Sequence, residues 1–492
     1  MIHPDAPVYL WSAQSLEQGN IPGAIKAYPM LFYPFLVMCV HKLGLDWHAA
    51  GRAISVAASC LAFFPFFSLA KRFSPGWPAI IITMAFVLMP EYNCIAFAAI
   101  RDPLYLCLSL YCVYFAVCFA ERKELKWFIG VILFSICIPF LRVEGIVVSL
   151  VILGWSCVGF IRRFDINGRM WAMAVTAGLF AVLFYIFSFS EIGRDLLRLN
   201  QVSAILQQFS TPPPSVAYYL NTLDELAHNK VPDGFGNNFW QVIERNWPWI
   251  YGIGMLRMFE SNLSWLLILL GVIGVRDVVR IHQTGLMLPA VFMANMLLIL
   301  AKYLYSGSME GRVMLFPAVL WLLFAGAAIF SVAAYLSEKC NVGILCKKLN
   351  VVILLGLVLI LPFAYRTVFM DYNINIPVLR DGCRWVNEQI LSNRKDWQVG
   401  VNIRTMIWFI EREGVRQINS KNEHEVLAFL KRGKKPVVVI LLLNRRIEKD
   451  TALMNSLVAD KEFSSRVFTD PEDDKNFVVA VWQKKGESPP AF

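Results

Sequence analysis

Long apolar runs separated by short charged ones dominate the chain. Ten apolar segments can be marked, at about 53–70, 79–96, 104–120, 127–142, 146–161, 170–190, 261–275, 285–304, 313–336 and 350–366. Most are close to the ~17–25 residues an α-helix needs to cross a ~30 Å hydrocarbon core, while the fourth and fifth are short. Taken alternately, the connections fall into two sets. One set reads AKRFS, ERKELK, IRRFDINGR, VRDVVRIH and SEKCNVGILCKKLN. All of these are basic, which places them on the cytoplasmic side. The other set holds the N-terminal stretch, PEYNCIAFAAIRD, LRVEG, a long loop at 191–260, YSGSMEGR and everything after 366. These face the periplasm or exterior.

The opening, MIHPDAPVYLWSAQSLEQGNIPGA, is of a different kind. Asp5 as N-cap, Pro7 in the first turn, apolar Tyr9, Leu10 and Leu16, and Gly19 at the end predict a short helix lying outside the membrane. A translocated N-terminus with no helix to carry it leads us to expect a further transmembrane span ahead of Met1. The other end of the chain, from about 378, alternates helical with strand-like patterns. LRDGCRWVNEQILSN, TMIWFIERE and HEVLAFLKRG are predicted helices, and WQVGVNI, VRQIN, KPVVVILLL, VFTD and NFVVAVWQK predicted strands. The unbroken run PVVVILLL suits a central strand covered on both faces. It is too short to cross a bilayer, and no G-x-G-x-x-G turn marks a dinucleotide site. The expected architecture is a polytopic α-helical membrane protein of about ten spans. It comprises a first external loop with juxtamembrane helices at 1–52, a membrane domain at 53–366 and an extracytoplasmic α/β domain at 378–492.

Composition agrees with that layout. Of 492 residues, 57% are hydrophobic and 17% charged, and the mean hydropathy is +0.53. One anchor on a soluble body cannot produce such values. The net charge of +10 would fit a nucleic-acid partner, but much of it sits in loops where it sets topology. No phosphate loop, zinc-spaced Cys/His cluster or basic–aromatic stripe supports nucleic-acid binding. The eleven Cys fall mostly inside apolar runs, as small hydrophobes and not as a disulfide framework.

Candidate chemistry collects at span ends on the outer side, where ionisable groups are expensive to keep. Asp5 and Asp102 each also suit a plain helix cap. Glu91 follows Pro90 in the same loop as Arg101 and Asp102, and also suits a solvated surface. Arg142 and Glu144 flank a turn in LRVEG, as a local ion pair or as a guanidinium facing lipid phosphate. Glu310 and Arg312 precede the 313–336 segment, where Arg312 is either an interface anchor or a second cation. Together they place two carboxylates and the phosphate-binding candidates Arg101, Arg142 and Arg312 on one membrane face. That set suits moving a group from a lipid-linked phosphate to an acceptor hydroxyl. A carboxylate would take the hydroxyl proton, and Arg would stabilise charge on the departing phosphate. A flippase of lipid-linked saccharides would instead favour polar groups at mid-membrane in broken helices. A polymerase or ligase with a diphosphate-linked donor uses similar physics.

The series Asp5, Tyr9, Ala13, Leu16, Gly19, Tyr28, Pro29, Tyr33 and Pro34 resembles the first external loop of GT-C fold glycosyltransferases. These are polyprenyl-phosphate-sugar-dependent enzymes related to protein O-mannosyltransferases and the lipid A aminoarabinose transferase. AGRAISVAAS, LAKRF, the loop from Pro90 to Asp102, LRVEG and EGRVMLFPAV continue the resemblance, which covers about 1–160 and 300–336. It implies a GT-C-like membrane enzyme with a polyprenyl-phosphate-linked sugar as donor and a glycan, lipid or protein as acceptor. It also implies Asp5 as base and Asp102 as second acid, with a transmembrane helix before the first external loop. Two positions depart from the pattern: Ala6 stands where many relatives carry a second acid, and Arg142 where some carry Lys. The first departure weakens a two-acid motif or a metal site. No metal ligand is assigned, and a divalent cation is left open as a participant. The 191–260 loop fits an element closing over substrate.

Overall fold

Every predicted apolar run that falls on described residues is built of helix in the computed structural model. The structure describes residues 5–161, 249, 251–281, 286–306 and 310–339. Further on it describes 352, 356, 358–361, 382–391, 398–401, 416–417, 426, 430, 437–444, 453–455, 457, 463–469 and 476–483. The 170–190 segment, the 191–248 part of the long loop and most of 350–366 lie outside these residues. The chain divides into two compact units, residues 12–370, and residues 1–11 together with 371–492.

Three helices precede the first predicted span, α1 (Ala6–Glu17), α2 (Ile21–Ala27) and α3 (Phe32–His41), and the part of α1 up to Trp11 belongs to the second unit. α1 starts one residue after Asp5, and Gly19 takes φ +73° just beyond its end, the left-handed turn only glycine adopts without strain. α4 (Trp47–Phe73) starts earlier than the hydrophobic pattern predicts. Asp46 caps it, Oδ1 accepting from the backbone N–H of His48 at 3.0 Å and of Ala49 at 3.1 Å. α5 (Trp77–Val87) and α6 (Pro90–Ala96) lie inside one predicted apolar run but bend by 56° where Pro90 interrupts the ladder. α7 (Asp102–Arg122) follows, with Pro103 in its first turn. Then come α8 (Leu125–Cys137), a 3-10 turn at Ile138–Phe140, and α9 (Glu144–Ile161).

After the undescribed stretch come α10 (Tyr251–Asn262), α11 (Trp265–Ile281), α12 (Met287–Ser306), a 3-10 turn at Gly311–Met314 and α13 (Leu315–Lys339). The chain bends by 101° between α10 and α11, inside what the sequence marks as a single apolar segment. Four described helices are long and apolar enough to cross a membrane, or up to seven if each bent pair counts as one span. α8 and α9 are apolar but shorter. The protein is a polytopic helical membrane protein. Helices α11 and α13 pack closely because Gly271 and Gly274 expose backbone: a Cβ at Gly274 would overlap the Phe324 carbonyl oxygen, and one at Gly271 the Trp321 indole. Small residues play this part wherever membrane helices gain from contact and not from water exclusion.

The C-terminal unit contains a five-stranded sheet ordered β2-β1-β3-β5-β4. Its strands are β1 (Gln398–Val401), β2 (Arg416–Gln417), β3 (Val437–Asn444), β4 (Phe463–Thr469) and β5 (Asn476–Gln483). β1 runs parallel to β2 and β3, and β5 antiparallel to β3 and β4. The expected central strand is indeed central. Val438 and Ile440 of β3 join one core with Cys383, Val386 and Ile390, while Val437, Val439, Leu441 and Leu443 join a second with Val426, Leu430 and Leu457. The period-2 alternation of a strand divides these residues between two covered faces.

Candidate active site

The loop before α7 is fixed by hydrogen bonds to α4. Ser55 Oγ donates to the Ile100 carbonyl at 2.9 Å, and Tyr92 Oη of α6 donates to the Ser59 carbonyl at 2.5 Å. This sets Asp102 at the start of α7, where its side chain is buried.

Arg142 lies in the turn before α9 and is buried beside Asp102. Its Nη1 pairs closely with Asp102 Oδ1. Nη2 donates to Glu144 Oε1 at 3.2 Å and Nε to Glu144 Oε2 at 3.3 Å. The guanidinium also lies over the Tyr105 ring, 5.4 Å from its centroid. Glu144 and Asp102 supply the opposite charges that a buried guanidinium needs. Arg142 stays a cation, as arginine does in proteins.

Each carboxylate has a further cation. Lys302 Nζ, near the end of α12, sits 3.0 Å from Glu144 Oε1, and Arg312 Nη1 sits 3.7 Å from Asp102 Oδ2. Arg312 also pairs closely with Glu310, whose side chain is exposed. Buried Asn262 donates to the Gly311 carbonyl at 3.0 Å, and the Glu91 carboxylate lies where a Cβ of Gly311 would go. The starts of α7, α9 and α13 and the end of α12 thus share one charged centre. It gathers Asp102, Arg142, Glu144, Glu310 and Arg312 from among the expected residues, with Glu91 on its edge.

Arg101 makes other contacts, with its guanidinium 5.1 Å from the Tyr28 ring centroid and Nη1 3.0 Å from Met30 Sδ. Asp5 and Tyr9 belong to the other unit, where Tyr9 is buried and Asp5 is partly exposed just before α1. Lys302 and Tyr105 are members of the centre that the loops alone do not point to. For Lys302 a signal existed, a lone cation in the last turn of an apolar segment. Among the described residues no three His, Cys, Asp or Glu side chains gather as metal ligands. Both buried carboxylates already face cations, so no step is assigned to a divalent ion.

No protein-family model matches the sequence, and no curated protein does either. Among solved structures, the chain is similar to ArnT from Cupriavidus metallidurans, bound to undecaprenyl phosphate. The TM-score is 0.52 at 14% identity, with 98% of this chain and 94% of that chain covered. The oligosaccharyltransferase of Archaeoglobus fulgidus, in complex with Zn and sulfate, gives 0.48 at 11% identity, covering 83% of this chain and 59% of that one. Identity this low speaks to architecture alone, and the full-length likeness to ArnT shows a GT-C-like fold.

Proposed function

We propose that the protein is an integral-membrane glycosyltransferase. It takes a sugar from a polyprenyl-phosphate donor and places it on an acceptor hydroxyl of a glycan, lipid or protein, with inversion at the anomeric carbon. The carrying observation is the buried Asp102–Arg142–Glu144 cluster, flanked by Arg312 and Lys302, at one end of an apolar helix bundle. Buried ion pairs contribute little net stability, so keeping Asp102, Arg142 and Glu144 ionised and buried there favours a working site over a structural one. The GT-C fold supports the donor class, because ArnT was crystallised with undecaprenyl phosphate.

In this reading a carboxylate takes the proton of the acceptor hydroxyl as its oxygen bonds to the anomeric carbon. The bond from that carbon to the phosphate oxygen breaks, and polyprenyl phosphate leaves with the electron pair. The resemblance gives the role of base to Asp5. Asp102, gripped by Arg142, is better suited to orienting cations than to accepting the proton. Arg312, with one carboxylate at the surface, is the cation best placed to meet the leaving phosphate, and Arg101 is a second candidate. The basic loops on the opposite side support an extracytoplasmic site in the inner membrane, with the C-terminal unit on that same side.

A flippase reading draws on the sharply bent helix pairs, but the described charges collect at helix ends and not at mid-span. Native mass spectrometry of the purified protein tests the donor. A co-purifying polyprenyl monophosphate is expected. A polyprenyl diphosphate would favour a polymerase or ligase instead.

A further inference from the structure

Six side chains follow one another with alternating sign: Lys302, Glu144, Arg142, Asp102, Arg312 and Glu310. The middle is buried and the ends open out, the side chains of Lys302 and Glu310 being 44% and 64% exposed. Glu144, Arg142 and Asp102 alone would leave a buried surplus of one negative charge, and Lys302, Arg312 and Glu310 together bring the six groups to neutrality. Glu144 Oε1 takes both Lys302 Nζ at 3.0 Å and Arg142 Nη2 at 3.2 Å, so the two cations share one oxygen.

We infer that Lys302 is a positioning residue of this centre, acting through Glu144. By partly neutralising Glu144 from α12, it lets Arg142 divide its guanidinium between Glu144 and Asp102, which keeps Asp102 aimed. Without Lys302 the full charge of Glu144 competes for Arg142, and Asp102 is released toward Arg312. Lys302 also joins α12 to α9, which pack against each other, so the alignment of the bundle ends depends on the same contact. This inference rests on the glycosyltransfer reading.

The experiment compares Lys302→Met, Lys302→Arg, Glu144→Gln and the double variant Lys302→Met/Glu144→Gln, purified in detergent. It measures thermal melting and, with a polyprenyl-monophosphate sugar, transfer kinetics. Lys302→Met should lower kcat about 10- to 100-fold, as small misplacements do. The donor KM should stay within about twofold of wild type. Lys302→Arg should recover most of kcat. The melting shifts of Lys302→Met and Glu144→Gln should be non-additive, since the two groups touch. Additive shifts, a Lys302→Arg protein as slow as Lys302→Met, or a change confined to donor KM would each overturn the positioning role in an active enzyme. A wild-type protein that transfers nothing from such donors would instead overturn the glycosyltransfer reading, and the role with it. The melting cycle would still report whether Lys302 and Glu144 are coupled.

Discussion

Replacing Arg142 by Met removes the central cation of the buried chain while keeping an unbranched apolar side chain of similar reach. Arg142 donates to Asp102 through Nη1 and to Glu144 through Nη2 and Nε. Hydrogen bonds of this charged kind are worth roughly 1.5–3 kcal/mol each. Three of them set an upper bound of roughly 5–9 kcal/mol, which is too high because such contacts are not additive. Breaking a buried ion pair from one side typically costs about 3–5 kcal/mol. The lower part of that range is expected, because Glu144 keeps Lys302 and Asp102 keeps Arg312. Arg142→Lys should recover part of the loss, since an ammonium satisfies one carboxylate but cannot fork across two. Thermal melting in detergent, followed by tryptophan fluorescence, would show a clear drop for Met and a smaller one for Lys. An Arg142→Met protein that melts like wild type would refute the reasoning, because two carboxylates would then be tolerated in a buried site without their shared cation.

Three further outcomes are expected. Asp5→Asn replaces the carboxylate by a side chain that suits a helix cap about as well, yet should slow transfer by ~100- to 10,000-fold with donor binding intact; near-normal transfer would move the base to Asp102 or Glu91. Arg312→Ala should raise donor KM by about tenfold or more, read from initial rates against donor concentration, because it removes a cation of the size of one charged hydrogen bond. A reporter fused after residue 366 should be exported, and cytoplasmic reporter activity would reverse the assigned orientation.

Much of the membrane unit was legible because hydrophobic periodicity and Pro placement act locally. Pro103 at the start of α7 and Gly19 after α1 mark boundaries that the structure keeps. In the C-terminal unit the run PVVVILLL was recognisable as a central strand because its residues fill two cores at once. What the pattern hid were the breaks inside apolar runs. Between α10 and α11 the bend falls at Leu263–Ser264, where no Pro or Gly announces it. Helix α3, with Pro34 in its first turn, carried residues of the resemblance but no predicted span. The site was legible in part. Arg142 and Glu144 are neighbours in sequence, so their ion pair was a local expectation. Arg142 with Asp102 and Glu144 with Lys302 pair across 40 and 158 positions, and only the packing of α7, α9 and α12 brings them together. Lys302 lies within the end of an apolar segment, away from the loops that hold the other charged residues of the centre.

The central claim is transfer of a sugar from a polyprenyl monophosphate. Its most direct test is to reconstitute the purified protein in liposomes with a polyprenyl-monophosphate sugar and an extract of cell-envelope acceptors, and to follow release of the free polyprenyl phosphate by mass spectrometry. The account predicts release that depends on acceptor, is slowed at least ~100-fold by Asp5→Asn and is strongly reduced by Arg142→Met. Intact donor in the presence of folded protein and acceptor, or equal release by wild type and both variants, would contradict it.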